Sequence, residues 1–331
     1  MKTLMSSAGK PMRLIYTPDV MTYRGEQFNC IRMAYHDDES GEEFTTTESD
    51  TVWFNQVTNQ YRERHGIPYT DEIVALREKY GVSAAKMSLI LGFGTNQYRL
   101  YEDGEVPSES NGKMIRGAMN PRVFLDLVRS SRNQLSERDF NKIIANLEKV
   151  ISDSADWKSE QWAAARLFRS DRGLQNGFAP QSTQRLKNLL LYVLGKMDEV
   201  YQTKMNKVLF YIDFLSYRER GMAISGLAYN AIDFGPVPQR WDRVYSAFDE
   251  VIPQPRSVFG QESIELTTSQ DADMSSFSEQ ELSVIDSVCE KMKDLSAHDI
   301  SDLSHKEPAW LNHLHQNETI PYSEAFSLVW V

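Results

Sequence analysis

The stretch that decides the fold is Lys204–Tyr245, KMNKVLFYIDFLSYRERGMAISGLAYNAIDFGPVPQRWDRVY. Met205, Val208, Leu209, Ile212 and Leu215 recur at i, i+3, i+4, i+7 and i+10, one face of a 3.6-residue period. Phe210, Tyr211 and Phe214 widen that face until the segment is apolar nearly all round, the pattern of a helix buried inside a larger bundle. Arg218-Glu219-Arg220 and Gly221 stop it. Leu227 to Phe234 has some aromatic and β-branched character and leads into Gly235-Pro236-Val237-Pro238. The prolines fix φ and remove two donors, which predicts a rigid turn with no regular ladder running through it. A second helix is expected from near Gln239, with Trp241, Val244, Tyr245 and Phe248 at helical spacing.

Around this stretch, residues 182–331 read as one domain. Leu186, Leu189, Leu190 and Val193 give it a first long helix, and Ser257 to Leu266 a hairpin about Gly260-Gln261-Glu262. Ser278-x-x-Glu281 has capping-box spacing ahead of Leu282, Ile285, Val288 and Met292. Residues 133–181 read as a connector, with one amphipathic helix through Phe140, Ile143, Ile144 and Leu147, a second suggested by Trp157, Trp162 and Phe168, and a Gly/Pro linker over 170–180. Residues 70–132 read as five short helices, capped by Thr70, Ser83 and Thr95 and then opened at Pro107-Ser108 and Asn120-Pro121. The tight Gly92-Phe93-Gly94 turn between the second and third gives the helix-turn-helix plan. Residues 1–69 form a small module: short strands at Arg13–Tyr16, on both sides of Arg24-Gly25 and at Phe44, then a helix from Thr47 to Gly66-Ile67-Pro68. The expected fold class is mainly α with small β elements.

The composition is that of a globular protein, with a net charge of −11 over 331 residues. The charge is uneven: residues 70–132 hold nine Lys/Arg against eight Asp/Glu, and residues 133–331 hold twenty against twenty-nine. The near-neutral middle is the place for a DNA contact, and the acidic C-terminal part suits a basic protein partner; a uniform role in solubility reads the same numbers equally well. Two distant cysteines, Cys30 and Cys289, give no disulfide framework and no CxxC pair, which fits a reduced, cytoplasmic setting. The N-terminus shows no apolar signal core, and no uncharged apolar run approaches a membrane span.

Chemistry-bearing motifs are sparse. His305 lies near Asp302 and Glu307, but His313 and His315 are two apart and share no helix face, so the HExxH geometry is absent. A hydrogen-bonded corner over Trp310 explains His305 and Glu307 better than a metal site. No GxSxG, P-loop or Cys–His pattern occurs. The expectation is a chain with no catalytic residues, no metal and no cofactor. In the third short helix, Thr95, Asn96, Gln97 and Arg99 occupy the turns that enter a major groove, where Asn or Gln pairs with adenine and Arg with guanine. Ser83, Lys86 and Lys113 are candidate phosphate contacts. A helix-turn-helix used only for packing or dimerisation is the other reading of the same helices.

Two resemblances add to this. GVSAAKMSLILGFGTNQYRLYEDGEVPS (residues 81–108) looks like the DNA-binding element of Xre-type regulators, and residues 23–128 resemble MqsA-type antitoxins through Tyr23-Arg24-Gly25, Gly94-x-Asn96 and Tyr101-Glu102-x-Gly104 followed by Pro107. In that family an Asn and an Arg of the third helix read the groove. Asn96 matches the first, but Leu100 stands at the second with Arg99 one residue earlier, a turn of about 100° on a helix. Four zinc cysteines are also expected there, and only Cys30 is present, so zinc is not carried over. Residues 182–331 resemble the Panacea domain of SocA-like antitoxins through Lys207-x-x-Phe210-Tyr211, Phe234-Gly235-Pro236-Val237-Pro238 and Leu303-Ser304-His305-x-Glu307-x-x-Trp310. This resemblance implies a type II antitoxin that masks a toxin by direct binding and, as a homodimer, represses its own operator. It also implies varied partners, including small-alarmone-synthetase-type toxins that act on translation. Tyr229, Asp233, Gln239, Arg240 and Arg243, near the Gly-Pro turn, are the expected toxin contacts. The alternative is a transcription regulator or protease adaptor whose last domain binds a protein that is not a toxin.

Overall fold

Helices dominate, and among the described residues the strands form three small antiparallel sheets, as the periodicities predict. The structure is a computed structural model that describes residues 4–6, 9–153, 162–258, 261–316 and 318–331. It resolves into two compact units, Met1–Val57 with Ala163–Val331, and Thr58–Trp162.

The larger unit opens with an 11-residue hairpin, β1 (Arg13–Tyr23) and β2 (Glu26–His36), turning at Arg24-Gly25, with β3 (Glu43–Phe44) beyond β2. The two strands are continuous where short pieces are expected, because Pro18 sits on the edge strand β1, where a missing donor costs no ladder bond. Helix α1 (Thr47–His65) follows, and its Gln56 side chain bonds both N–H and C=O of Ile31 at 2.9 Å. This module is part of the larger unit: Tyr16 packs on Phe326 with ring centroids 5.5 Å apart, and Asn55 Nδ2 donates to the Arg220 carbonyl at 3.0 Å.

Residues 162–167 are helical (α8), whereas 154–161, with the expected Trp157, lie outside the described residues. Next come α9 (Thr183–Lys196) and α10 (Gln202–Arg220). Helix α10 is buried along its length, with Val208, Phe210, Ile212 and Phe214 fully enclosed, as its all-round apolar pattern requires. Gly221 ends it at φ 69°, and a Cβ there would come 2.9 Å from Asn55 Cβ.

The Gly-Pro segment departs from expectation. Gly235–Pro238 is strand β5, paired to β4 (Tyr229–Ile232) with Ile232 opposite Gly235 and Tyr229 opposite Pro238. The prolines are two residues apart, so both missing donors face the same edge, and the other parity serves the ladder. Gln239, of that parity, donates its N–H to Ala228 at 2.8 Å. Residues 318–320 line the far side of β4, through Ala231 N–H to Glu318 and Ile320 N–H to Tyr229. The remaining elements are α11 (Trp241–Ser246), β6 (Ile252–Val258), β7 (Gln261–Thr267), α12 (Glu279–Met292), α13 (Ala297–Ser304) and α14 (Pro308–Leu311). The expected capping box is present, with Glu281 N–H on Ser278 Oγ and Ser278 N–H on Glu281 Oε2; Gly260 of the expected hairpin turn lies outside the described residues. A closing 3-10 turn, Tyr322–Ser327, stacks Tyr322 on Phe214 at 4.6 Å.

The smaller unit is helical: α2 (Thr70–Tyr80), α3 (Ala84–Ile90), α4 (Gln97–Glu102), α5 (Glu109–Ala118), α6 (Pro121–Ser130) and α7 (Glu137–Ser152). Tyr80 stacks on Phe124 at 4.6 Å, and Tyr98 donates its hydroxyl to the Ile73 carbonyl at 2.7 Å. Ile143 and Leu147 of α7 are buried in this same core, so the amphipathic helix read as a connector closes the unit. Its apolar face has nowhere else to go: α2 and α6 supply the surface it covers.

Candidate functional site

The residues of the C-terminal motifs converge behind the β4–β5 hairpin. Lys207 is 1% exposed, and its ammonium donates to the Phe234 carbonyl. Burial without a carboxylate partner pulls its pKa down to about 8. Gly235, at φ 93°, leaves room for this amine: a Cβ there would lie 2.9 Å from Lys207 Cε and from Ser304 Oγ. His305 stacks on Trp310 at 4.4 Å, and Trp310 Nε1 donates to the Ile232 carbonyl at 2.8 Å. Burial first, and the nearby Lys207 charge second, lower the His305 pKa. Glu307 is fully buried, accepting the Tyr211 hydroxyl at 3.0 Å and the N–H groups of Val329 and Trp330 at 2.9 and 3.2 Å.

Beneath them Asp213 is fully buried in α10. Its Oδ1 accepts N–H from Ile224 at 2.9 Å and Ser225 at 2.7 Å, and its Oδ2 accepts the Ser225 and Tyr229 hydroxyls. Burial pushes its pKa up against the pull of these donors. The network ties the segment after α10 to α10 itself and fixes where β4 starts.

Chemically, this is an arrangement for holding a hairpin. Lys207 and Ser304 approach each other around Gly235, yet Ser304 Oγ donates to Ser301 at 2.8 Å, and at 1% and 0% exposure neither offers an approach to a substrate carbonyl. Among the described residues no group of three or more His, Cys, Asp or Glu side chains is placed to hold a metal ion.

The expected toxin contacts divide. Tyr229, read as an exposed group, is fully buried with its hydroxyl on Asp213, because its place in β4 faces α10. Gln239 is half-buried, its amide on Asn230 and Thr319 at 2.9 and 2.8 Å. Arg240, at φ 62°, donates to the carbonyls of Ala165 and Arg166. Asp233 and Arg243 are exposed, and Arg243 lines a cleft with Arg166, Lys187 and the first turn of α9. Phe234, quoted above only as part of the Gly-Pro motif and not as a contact, is 74% exposed at the hairpin tip. An aromatic at a turn position that favours Asn, Asp or Gly was the signal available.

In the smaller unit, Thr95, Asn96 and Arg99 are exposed and Gln97 is half-buried, its amide on Glu105 at 3.0 Å. Thr95 does not cap the helix. Asn96 takes the cap position at φ 64° with no side-chain cap bond, which leaves its amide outward. Ser83 caps α3 by accepting the Lys86 N–H at 3.4 Å. The Lys86 ammonium sits 2.6 Å from Asp139 of α7, an engagement the sequence did not reveal. Lys113 is exposed, 3.9 Å from Glu109.

No helix of the described residues is long and apolar enough to cross a membrane. Neither a curated protein nor a solved structure matches the chain. A family model described as Antitoxin SocA-like, Panacea domain, matches residues 205–311, the segment that runs from the start of α10 through the buried hairpin framework to α14, and this similarity suggests an antitoxin-type role.

Proposed function

We propose that this protein is a type II antitoxin whose domain over 182–331 neutralises a toxin by direct binding, and whose helices over 70–132 bind the operator of its own operon as a dimer. The family match over 205–311 carries the first half of this reading. The packing role of the motif residues supports it, since steric masking requires a rigid surface and no chemistry. The second half rests on the short α3–turn–α4 pair and on the outward Thr95, Asn96 and Arg99 at the start of α4. The toxin is a protein of the neighbouring reading frame, with translation as its target.

Co-expression with that frame is the test. Growth arrest by the frame alone, relieved by this chain, is expected; absence of either sinks the antitoxin reading and leaves a regulator or adaptor. In a mobility-shift assay, Asn96→Ala with Arg99→Ala is expected to weaken operator binding by about 2–6 kcal/mol, at about 1–3 kcal/mol per base contact, while growth rescue persists. An unchanged shift would remove these residues from the DNA contact.

A further inference from the structure

Phe234 and its surroundings assign a docking surface. The Asp233-Phe234 pair is a two-residue turn between Ile232 and Gly235, which face each other across the hairpin. Three anchors hold this turn: Lys207 on the Phe234 carbonyl, Trp310 on the Ile232 carbonyl, and Ala231 N–H on the Glu318 carbonyl. Its backbone is therefore fixed before any partner arrives, while the Phe234 ring stands 74% exposed. A lone exposed apolar residue is ordinary on a protein surface. An aromatic on a turn whose backbone is pinned from three sides has the property of an interface anchor, because little backbone entropy is lost when it is covered.

The charge around it selects the partner. Asp233 adjoins Phe234 in the turn and is exposed. Lys207 is buried under the turn with its ammonium on a carbonyl. The outward tip thus presents an aromatic ring with a carboxylate beside it.

We propose that the Asp233-Phe234 tip inserts into an apolar pocket of the partner protein, rimmed by Lys or Arg side chains that meet Asp233. This rests on the antitoxin reading and names the face and the partner chemistry within it.

The test uses the full-length chain and the purified product of the neighbouring reading frame, with affinity and association rate measured at low and high salt. Phe234→Ala is expected to weaken binding about tenfold and Phe234→Asp about a hundredfold, with Phe234→Leu within about threefold of wild type. Asp233→Lys is expected to slow association about threefold and to flatten its salt dependence. Phe234→Gln decides the matter should Phe234→Asp lower the melting midpoint. Wild-type binding that Phe234→Asp leaves within twofold overturns this surface and spares the antitoxin reading. So does loss of self-association alone in Phe234→Ala, which would make the tip a contact between copies of this chain. Failure of the wild-type chain to bind at all sinks the antitoxin reading and this surface together.

Discussion

The two units treat their marked residues in opposite ways. In the smaller one, the candidate base contacts Thr95, Asn96 and Arg99 point outward, and the core is built from other residues, such as Tyr80, Tyr98 and Phe124. In the larger one, Lys207, Tyr211, Gly235, Ser304, Glu307 and Trp310 are the core, and of the same motifs Phe234 stands on the surface they support. A motif residue is therefore no guide by itself to where contact with a partner occurs. A polar side chain inside an apolar bundle is tied to specific partners, because leaving it unpaired costs about 1–3 kcal/mol per group. An outward side chain at a helix start has no such constraint and stays available.

The contrast breaks most visibly at Asp213. Asp213→Ala removes the acceptor of two N–H groups and two hydroxyls at once, and is expected to cost about 3–5 kcal/mol in urea unfolding. A loss below about 1 kcal/mol would show that the segment after α10 holds itself without this carboxylate.

A second measurement addresses Lys207. Its folded pKa of about 8 lies below the unfolded value of about 10.4. Between these values the unfolded chain binds the proton and the folded chain does not, so this group makes stability rise with pH from about 8 upward. Wild type measured against Lys207→Met is expected to gain about 1–2 kcal/mol between pH 7.5 and 9.5, the comparison cancelling the tyrosines. A flat difference would mean that the amine keeps its proton beneath the hairpin.

The smallest effect is expected in the smaller unit. Lys86→Ala removes a partly exposed pair with Asp139 and should cost at most about 1 kcal/mol of stability. With its ammonium engaged there, operator affinity should change less than about twofold; a larger drop with the salt slope reduced by about one would restore Lys86 as a phosphate contact.

Much of this architecture is legible from spacing alone. The all-round apolar run from Met205 to Leu215 specifies a buried helix, and Ser278-x-x-Glu281 specifies a capped one, because both signals are local. The β5 ladder was not legible, since whether a proline blocks pairing depends on which edge of the strand its nitrogen faces. Among the candidate contacts, Arg99 and Arg243 stay on the surface, while Tyr229 is fully buried and Gln239 half-buried. The sequence offers no way to separate these cases, because a strand's inward parity is set by the element packed against it.

By itself, then, the sequence determined most of the helices, the caps at Ser83 and Ser278 though not those expected at Thr70 and Thr95, the short turn between α3 and α4 and the residues that mark the C-terminal domain, all of which depend on neighbours within a few positions. Only the tertiary structure decided that the N-terminal hairpin and α7 belong to different units, that Lys207 and Glu307 serve as struts, and that Phe234 is left standing in solvent. Those outcomes arise from contacts between residues tens to hundreds of positions apart, as with Tyr211 and Glu307 or Asn55 and Arg220. No local periodicity encodes which distant surfaces will exclude water together.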